Sequence, residues 1–209
     1  FLSSAKAPAR LTAAGVSDIL GKYIALADWK IASILMDEYY CTAVADLETK
    51  AIRTVKDNLK EIAAGEKDAC EKLMYALILS GLAMQMTGNS RPASGAEHHM
   101  VHLWDMEVVN GHLDALHGEK VSAATMLVLL EYKKLADAIR RGACRVHAFT
   151  DGDRELLQET FGRKGILGAL EKENTPELLD DVSTETLSGA LPEILKIIDL
   201  LPAVTDMQE

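Results

Sequence analysis

Apolar residues recur at three- and four-residue spacing along most of the chain. From Ser17 to Met36 they include Ile19, Tyr23, Ile24, Leu26, Ala27 and Ile31, one face of a long helix. Thr42 to Ala64 repeats the pattern with Val44, Leu47, Ile52, Val55, Leu59 and Ile62, while Glu48, Arg53, Lys56 and Lys60 take the other face. Gly65 is positioned to stop that helix. Asp68 to Met86, with its run "KLMYALILSGLAMQM", is apolar all round and predicts a central buried helix that the others wrap.

Gly88 to Gly95 reads as a loop from its Gly, Asn, Ser and Pro content. A helix is predicted from about Ala96 to Val109, then a turn at Gly111-His112, then a long helix from about Glu119 to Arg141 with Gly142 as its stop. Shorter helices are predicted over Asp153–Phe161, Pro176–Asp181 and Thr184–Leu201, with Gly162, Gly165 and Gly168 forming a joint. Period-two alternation is scarce, so no strand is predicted. The expected class is all-α, an irregular helical bundle with a central buried helix.

Composition narrows the function classes. The chain has 209 residues, 48% of them hydrophobic, enough for a sizeable core. The net charge of −10, with no basic run longer than a pair such as Arg140–Arg141, opposes a nucleic-acid surface. No segment reaches the ~18 consecutive apolar residues of a membrane span. Three cysteines, Cys41, Cys70 and Cys144, form neither a CxxC pair nor a disulfide framework, and a reducing cytoplasm is the expected compartment. The chain opens on Phe1 rather than Met, so a C-terminal piece of a longer polypeptide is expected.

Candidate chemistry concentrates in one window. Five of six histidines, His98, His99, His102, His112 and His117, lie between positions 98 and 117. Imidazole is the commonest transition-metal ligand. On a helix His98 and His102 share a face, and His99 can also meet His102. His117 lies beyond a turn and must approach from another direction. Two helical positions and one loop position can converge on an open metal site. A carboxylate ligand is expected beside them, with Asp18, Asp28 and Glu97 as candidates. Ahead of the histidines, "SRPASG" can present backbone N–H groups to an anion, and Arg91 can add a bidentate contact or simply anchor its own loop.

The segments "GVSDILGKYIALADWKI", "EYYC", "GNSRPASGAEHHMVHLWDM" and "LHGEKV" together resemble the sn-glycerol-1-phosphate dehydrogenases, above all the bacterial type. These stand in the superfamily of glycerol dehydrogenases, iron-type alcohol dehydrogenases and 3-dehydroquinate synthases. The resemblance spans roughly residues 8–140; the helical tail from about 150 to 209 carries no matching motif. It implies an N-terminal α/β domain that binds NAD(P) and a C-terminal all-helical domain, of dehydroquinate-synthase-like fold, that carries the metal. No GxGxxG fingerprint is present, since Gly162-Gly165-Gly168 lies between helices. Residues 1–209 are therefore expected to be the metal-bearing domain alone, with the nicotinamide site in a domain absent from this chain.

The resemblance also implies roles. Asp18, His98 and His117 would bind a divalent metal, zinc or nickel, with His99 an alternative to His98 through a one-residue shift. His102 would face the substrate, and Arg91 and Ser94 of the Ser90–Ser94 loop would hold its phosphate. The implied reaction interconverts dihydroxyacetone phosphate and sn-glycerol 1-phosphate with NAD(P). Rival expectations are a glycerol dehydrogenase, which needs no phosphate loop, and a 3-dehydroquinate synthase, where Glu usually stands in place of Asp18. A non-catalytic metal-binding helical module is a third. Neither nucleic acid nor membrane is an expected partner, and a bared apolar face makes a homo-oligomer an expectation.

Overall fold

The computed structural model describes residues 7–107, 111–144, 151–162, 165–173 and 184–207. Among the described residues the secondary structure is helical and no strand occurs, so the class is all-α as expected. The helices are α1 (Ala9–Leu35), α2 (Thr42–Lys56), α3 (Leu59–Ala63), α4 (Lys67–Thr87), α5 (Ala96–Asp105), α6 (His117–Arg140), α7 (Asp151–Phe161), α8 (Leu167–Glu173) and α9 (Thr184–Ile198). A short 3-10 turn, Val204–Met207, follows.

The bundle is built around α1, and this corrects the expectation that the 68–86 helix is central. Helix α1 meets α2, α3 and α4 on one side and α5, α6 and α9 on the other. Ile19, Ile24 and Trp29 of α1 are fully enclosed. Ile19 packs with Ile52, Val55, Ile62 and Leu73, while Ile24 packs with Val128 and Leu129. The Trp29 indole N–H donates to the Tyr39 carbonyl at 2.8 Å, so its polar edge is satisfied inside the core. Helix α4 instead buries mainly small residues (Ala69, Ala76, Ser80 and Ala83) and turns Tyr75, Ile78, Leu82 and Met86 outward. An all-round apolar pattern does not say which neighbours exist to cover it.

Element ends shift for local reasons. Helix α1 starts at Ala9, earlier than expected, because Pro8 sits at its N-cap with φ −54° and leads straight into the helix. The single helix expected over 42–64 breaks in two at Asp57–Asn58, where Asn58 adopts φ −124°, ψ 20°. Helix α4 closes on Gly88 in the left-handed conformation, φ 71°, whose N–H donates to the Met84 carbonyl. The helix predicted over Pro176–Asp181 lies outside the described residues. Helix α9 packs against α1 and α6 through Ile194, Ile198 and Ala136, and the Arg140–Asp199 ion pair joins the ends of α6 and α9.

Candidate metal centre

Three helices deliver the site. Asp18 lies in α1, His98 in α5, and His117 is the first residue of α6. Sequence spacing left His117 in a loop; the structure starts α6 two residues earlier than expected. Glu119 reaches back to accept the Leu116 backbone N–H at 2.8 Å, which satisfies an N-terminal donor and extends the helix. The same carboxylate accepts from Nε and Nη2 along one edge of the Arg10 guanidinium, at 2.6 and 2.8 Å, and so ties the start of α6 to α1.

Small residues let the three backbones come together. A β-carbon on Gly21 would stand 2.6 Å from Val121 Cγ1 of α6. One on Gly95 would meet Asp28 Oδ2 at 2.6 Å, Glu97 Oε2 at 2.8 Å and Ala25 Cα at 2.9 Å. One on Gly118 would run into the backbone of Ala14. The N-terminus of α5 is fixed from α1 and α6 together: Asp28 Oδ2 accepts the Ala96 N–H at 2.6 Å, and the Tyr132 hydroxyl donates to Asp28 Oδ1. Asp28 thus caps α5 from another helix; its carboxyl is raised above the usual range chiefly by burial.

At the centre, one ligand-type atom each from Asp18, His98 and His117 lies within 4.8 Å of the others. Asp18 Oδ1 is 3.4 Å from His98 Nε2 and 3.9 Å from His117 Nε2. Bond lengths of 2.0–2.2 Å to a tetrahedral ion set ligand atoms about 3.4 Å apart, so these separations suit one small divalent cation. The far edges of both rings are occupied. His98 Nδ1 is 2.7 Å from Glu97 Oε1, and His117 Nδ1 is 3.1 Å from Asp105 Oδ2. Both imidazoles therefore turn Nε2 toward Asp18, and the donor set fits a metal of zinc or nickel type.

Electrostatics without the ion follow from this crowding. Burial pushes the Asp18 carboxyl up, but His98 and Lys22 outweigh it and hold the group at about 2. Burial pushes the His98 imidazole down, but Asp18 and Glu97 outweigh it and hold it at about 9. Lys22, almost fully buried, points Nζ at Asp18 Oδ2 and at the Asp18 carbonyl, each 3.2 Å away. The His102 ring stands 6.3 Å from His98 and 6.4 Å from His117, centroid to centroid. Its imidazole is lowered by burial and by the charge of those two neighbours.

The two adjacent histidines are placed differently: His98 faces Asp18, whereas His99 is exposed and acts on Asp28. Of the other carboxylate candidates, Glu97 meets the His98 ring and Asp28 caps α5. Arg91 gives Nε and Nη2 to Glu38, each contact at 2.7 Å, so that edge of its fork is engaged within the protein. Ser94 lies in the same turn, its N–H donating to the Ser90 carbonyl, and the neighbouring Ala93 carbonyl faces Lys22 Nζ at 3.5 Å. Lys22, Asp105 and Lys120 escaped sequence reasoning. Asp105 Oδ1 meets Lys120 Nζ at 2.6 Å, and only the i,i+4 spacing of Asp18 and Lys22 was a local signal.

Fold and site together define an all-helical protein with a carboxylate–imidazole centre of metal-ligand type. The chain matches no family model. It is similar to glycerol-1-phosphate dehydrogenase (NAD(P)+) from several organisms. The Halalkalibacterium halodurans enzyme is 44% identical over 132 residues, 63% of this chain and 33% of that protein. The Bacillus velezensis enzyme is 35% identical over 211 residues, 98% of this chain and 52% of that protein. The Pyrococcus horikoshii enzyme is 36% identical over 160 residues, 74% of this chain and 45% of that protein. The resemblance carried by the motifs thus holds, and the second match takes it beyond residue 140 into the helical tail. The chain spans between a third and about half the length of these curated relatives.

Proposed function

We propose that this chain is the metal-bearing helical domain of an NAD(P)-dependent glycerol-1-phosphate dehydrogenase. The observation that carries the reading is the pair of imidazoles, from two helices, that present Nε2 to the one carboxylate of Asp18. The relatives' names supply an NAD(P)-dependent dehydrogenation of glycerol 1-phosphate, and the reaction proposed for the whole enzyme is the interconversion of dihydroxyacetone phosphate and sn-glycerol 1-phosphate. The nicotinamide site is carried by an N-terminal α/β domain that these 209 residues do not include, which agrees with the share of the relatives that the chain spans.

Asp18, His98 and His117 would hold zinc or nickel, which supplies Lewis acidity toward the substrate's hydroxyl or ketone oxygen. In the oxidation direction the secondary alcohol would lose its hydroxyl proton at this site, and the nicotinamide of the other domain would supply the hydride acceptor. His102 is the group on this chain to take that proton. Its ring lies beside the cluster, and the lowering by its surroundings favours the neutral, proton-accepting form. Lys22 holds Asp18 Oδ2 and offsets the charge of that carboxylate. Arg91 and Ser94 remain the residues proposed for the substrate phosphate; Arg91 would share its guanidinium between that anion and Glu38. The compartment proposed is the cytoplasm. Among the described residues no helix is long and apolar enough to cross a membrane. Self-association is proposed through the outward apolar face of α4.

The test joins this chain to its nicotinamide-binding domain and assays NADH- and NADPH-dependent reduction of dihydroxyacetone phosphate, dihydroxyacetone and the dehydroquinate synthase substrate. Turnover of the phosphorylated ketone alone is expected. Preference for unphosphorylated dihydroxyacetone would favour the glycerol dehydrogenase reading. The 209 residues alone should take up a divalent metal and show no turnover; hydride transfer by them alone would overturn the division between domains.

A further inference from the structure

Two rings from different helices are held in the same way, although nothing in their local sequence is shared. His98 has its Nδ1 on Glu97, the preceding residue of α5. His117 has its Nδ1 on Asp105, twelve residues earlier, at the end of α5. In each case the opposite ring nitrogen faces Asp18 Oδ1. We propose that Glu97 and Asp105 are positioning residues, each pinning the Nδ1–H edge of one imidazole so that both Nε2 atoms are aimed at the Asp18 carboxylate. This rests on the metal-site reading above.

Each carboxylate is itself fixed by a second partner. Glu97 is fully buried, and its Oε1 also accepts the Gly95 backbone N–H at 3.1 Å, so one oxygen serves as a rigid acceptor at the start of α5. Asp105 divides its oxygens, Oδ2 to His117 and Oδ1 to Lys120, and Lys120 lies one turn from His117 on α6. A ring N–H held this way leaves the lone pair of the neutral imidazole on Nε2, where a cation is met. Glu97 was a candidate ligand by residue type. Its contact with the back of His98 makes it the orienting group instead.

The test has two readouts. Ring 1H–15N spectra of the metal-free chain report whether the Nδ1–H protons of His98 and His117 are protected from exchange. Zinc titration against a competing chelator reports affinity. Asp105→Ala, at a half-exposed site, should abolish the protected His117 signal and weaken zinc binding by about 10- to 100-fold. Glu97→Ala should do the same at His98, and Glu97→Gln, which keeps an acceptor oxygen, should restore most of both. If Glu97→Ala loses its helical circular dichroism, the Asp105 arm decides alone. Affinity within about twofold of the unsubstituted chain would overturn the proposal. So would weaker binding with the Nδ1–H signal intact, because charge alone would then be acting. If the unsubstituted chain takes up no zinc, the metal-site reading fails, and the ring signals by themselves decide whether the carboxylates orient the rings.

Discussion

Gly118 and Ala14 are in backbone contact: the position that a β-carbon of residue 118 would occupy is filled by the carbonyl of Ala14. Gly118 follows the candidate ligand His117, and Ala14 lies one helical turn before Asp18. The close approach of α1 and α6 therefore sets the distance between two members of the cluster. Any side chain at 118 must push the helices apart, and the obstacle is backbone that cannot rotate away. Gly118→Ala is expected to destabilise the chain by about 1–3 kcal/mol, the usual cost of overpacking. At ~2–4 °C per kcal/mol for a domain of this size, thermal unfolding should show a clear drop in Tm. Zinc affinity should fall with it. An unchanged Tm would mean that the helices do not cross this closely.

On the proposed reading, metal addition should stabilise the chain through linkage, since the three candidate ligand groups converge only in the folded state. At a free metal concentration 100 times Kd the gain is about 2.7 kcal/mol. Differential scanning calorimetry should then show Tm raised by roughly 5–10 °C, reversed by a chelator. Asp18→Ala and His117→Ala should each abolish the shift, whereas alanine at His99, which is exposed and outside the converging group, should retain it.

Tyr132 supports the site from beneath α5. Its hydroxyl donates to Asp28, the carboxylate that caps the Ala96 N–H. Tyr132→Phe leaves that half-buried carboxyl short of one donor, at an expected cost of about 1–3 kcal/mol. Hydrogen exchange at the Ala96 amide should quicken more than exchange in the middle of α6. Equal protection in both proteins would show that Asp28 caps α5 unaided.

The helical periods were legible because each helix carries its own apolar face, as Ile19, Ile24 and Trp29 do in α1. Their assembly was not. Helix α4 is apolar all round by sequence yet exposes Tyr75 and Met86, because burial depends on neighbours that periodicity cannot supply. The imidazole pair was legible from residue type and family likeness, but its supports were not. Asp105 reaches His117 across twelve positions and Arg10 reaches Glu119 across 109, separations that leave no local pattern. The need for glycine at 118 is likewise a property of two helices meeting.

Acid and alkaline limits of the metal-free chain should differ in origin. His98 holds its proton at about 9 in the folded state against an ordinary 6.5, so folding favours the protonated ring. That contribution is complete below pH 6.5 and is lost as pH rises through 9. Asp18 stands at about 2 against an ordinary 3.8, so its contribution is complete above pH 3.8 and is lost as pH falls through 2. Without metal, the pair contributes fully between those ordinary values, and Tm should decline on the alkaline side. A bound metal needs the neutral ring, so binding displaces the His98 proton and zinc affinity should rise with pH up to about 9. The metal-saturated chain should therefore lose the alkaline decline, and so should metal-free His98→Ala. Thermal unfolding of the three species across pH 5 to 10 checks this; an identical alkaline slope in all of them would assign the decline to groups other than His98.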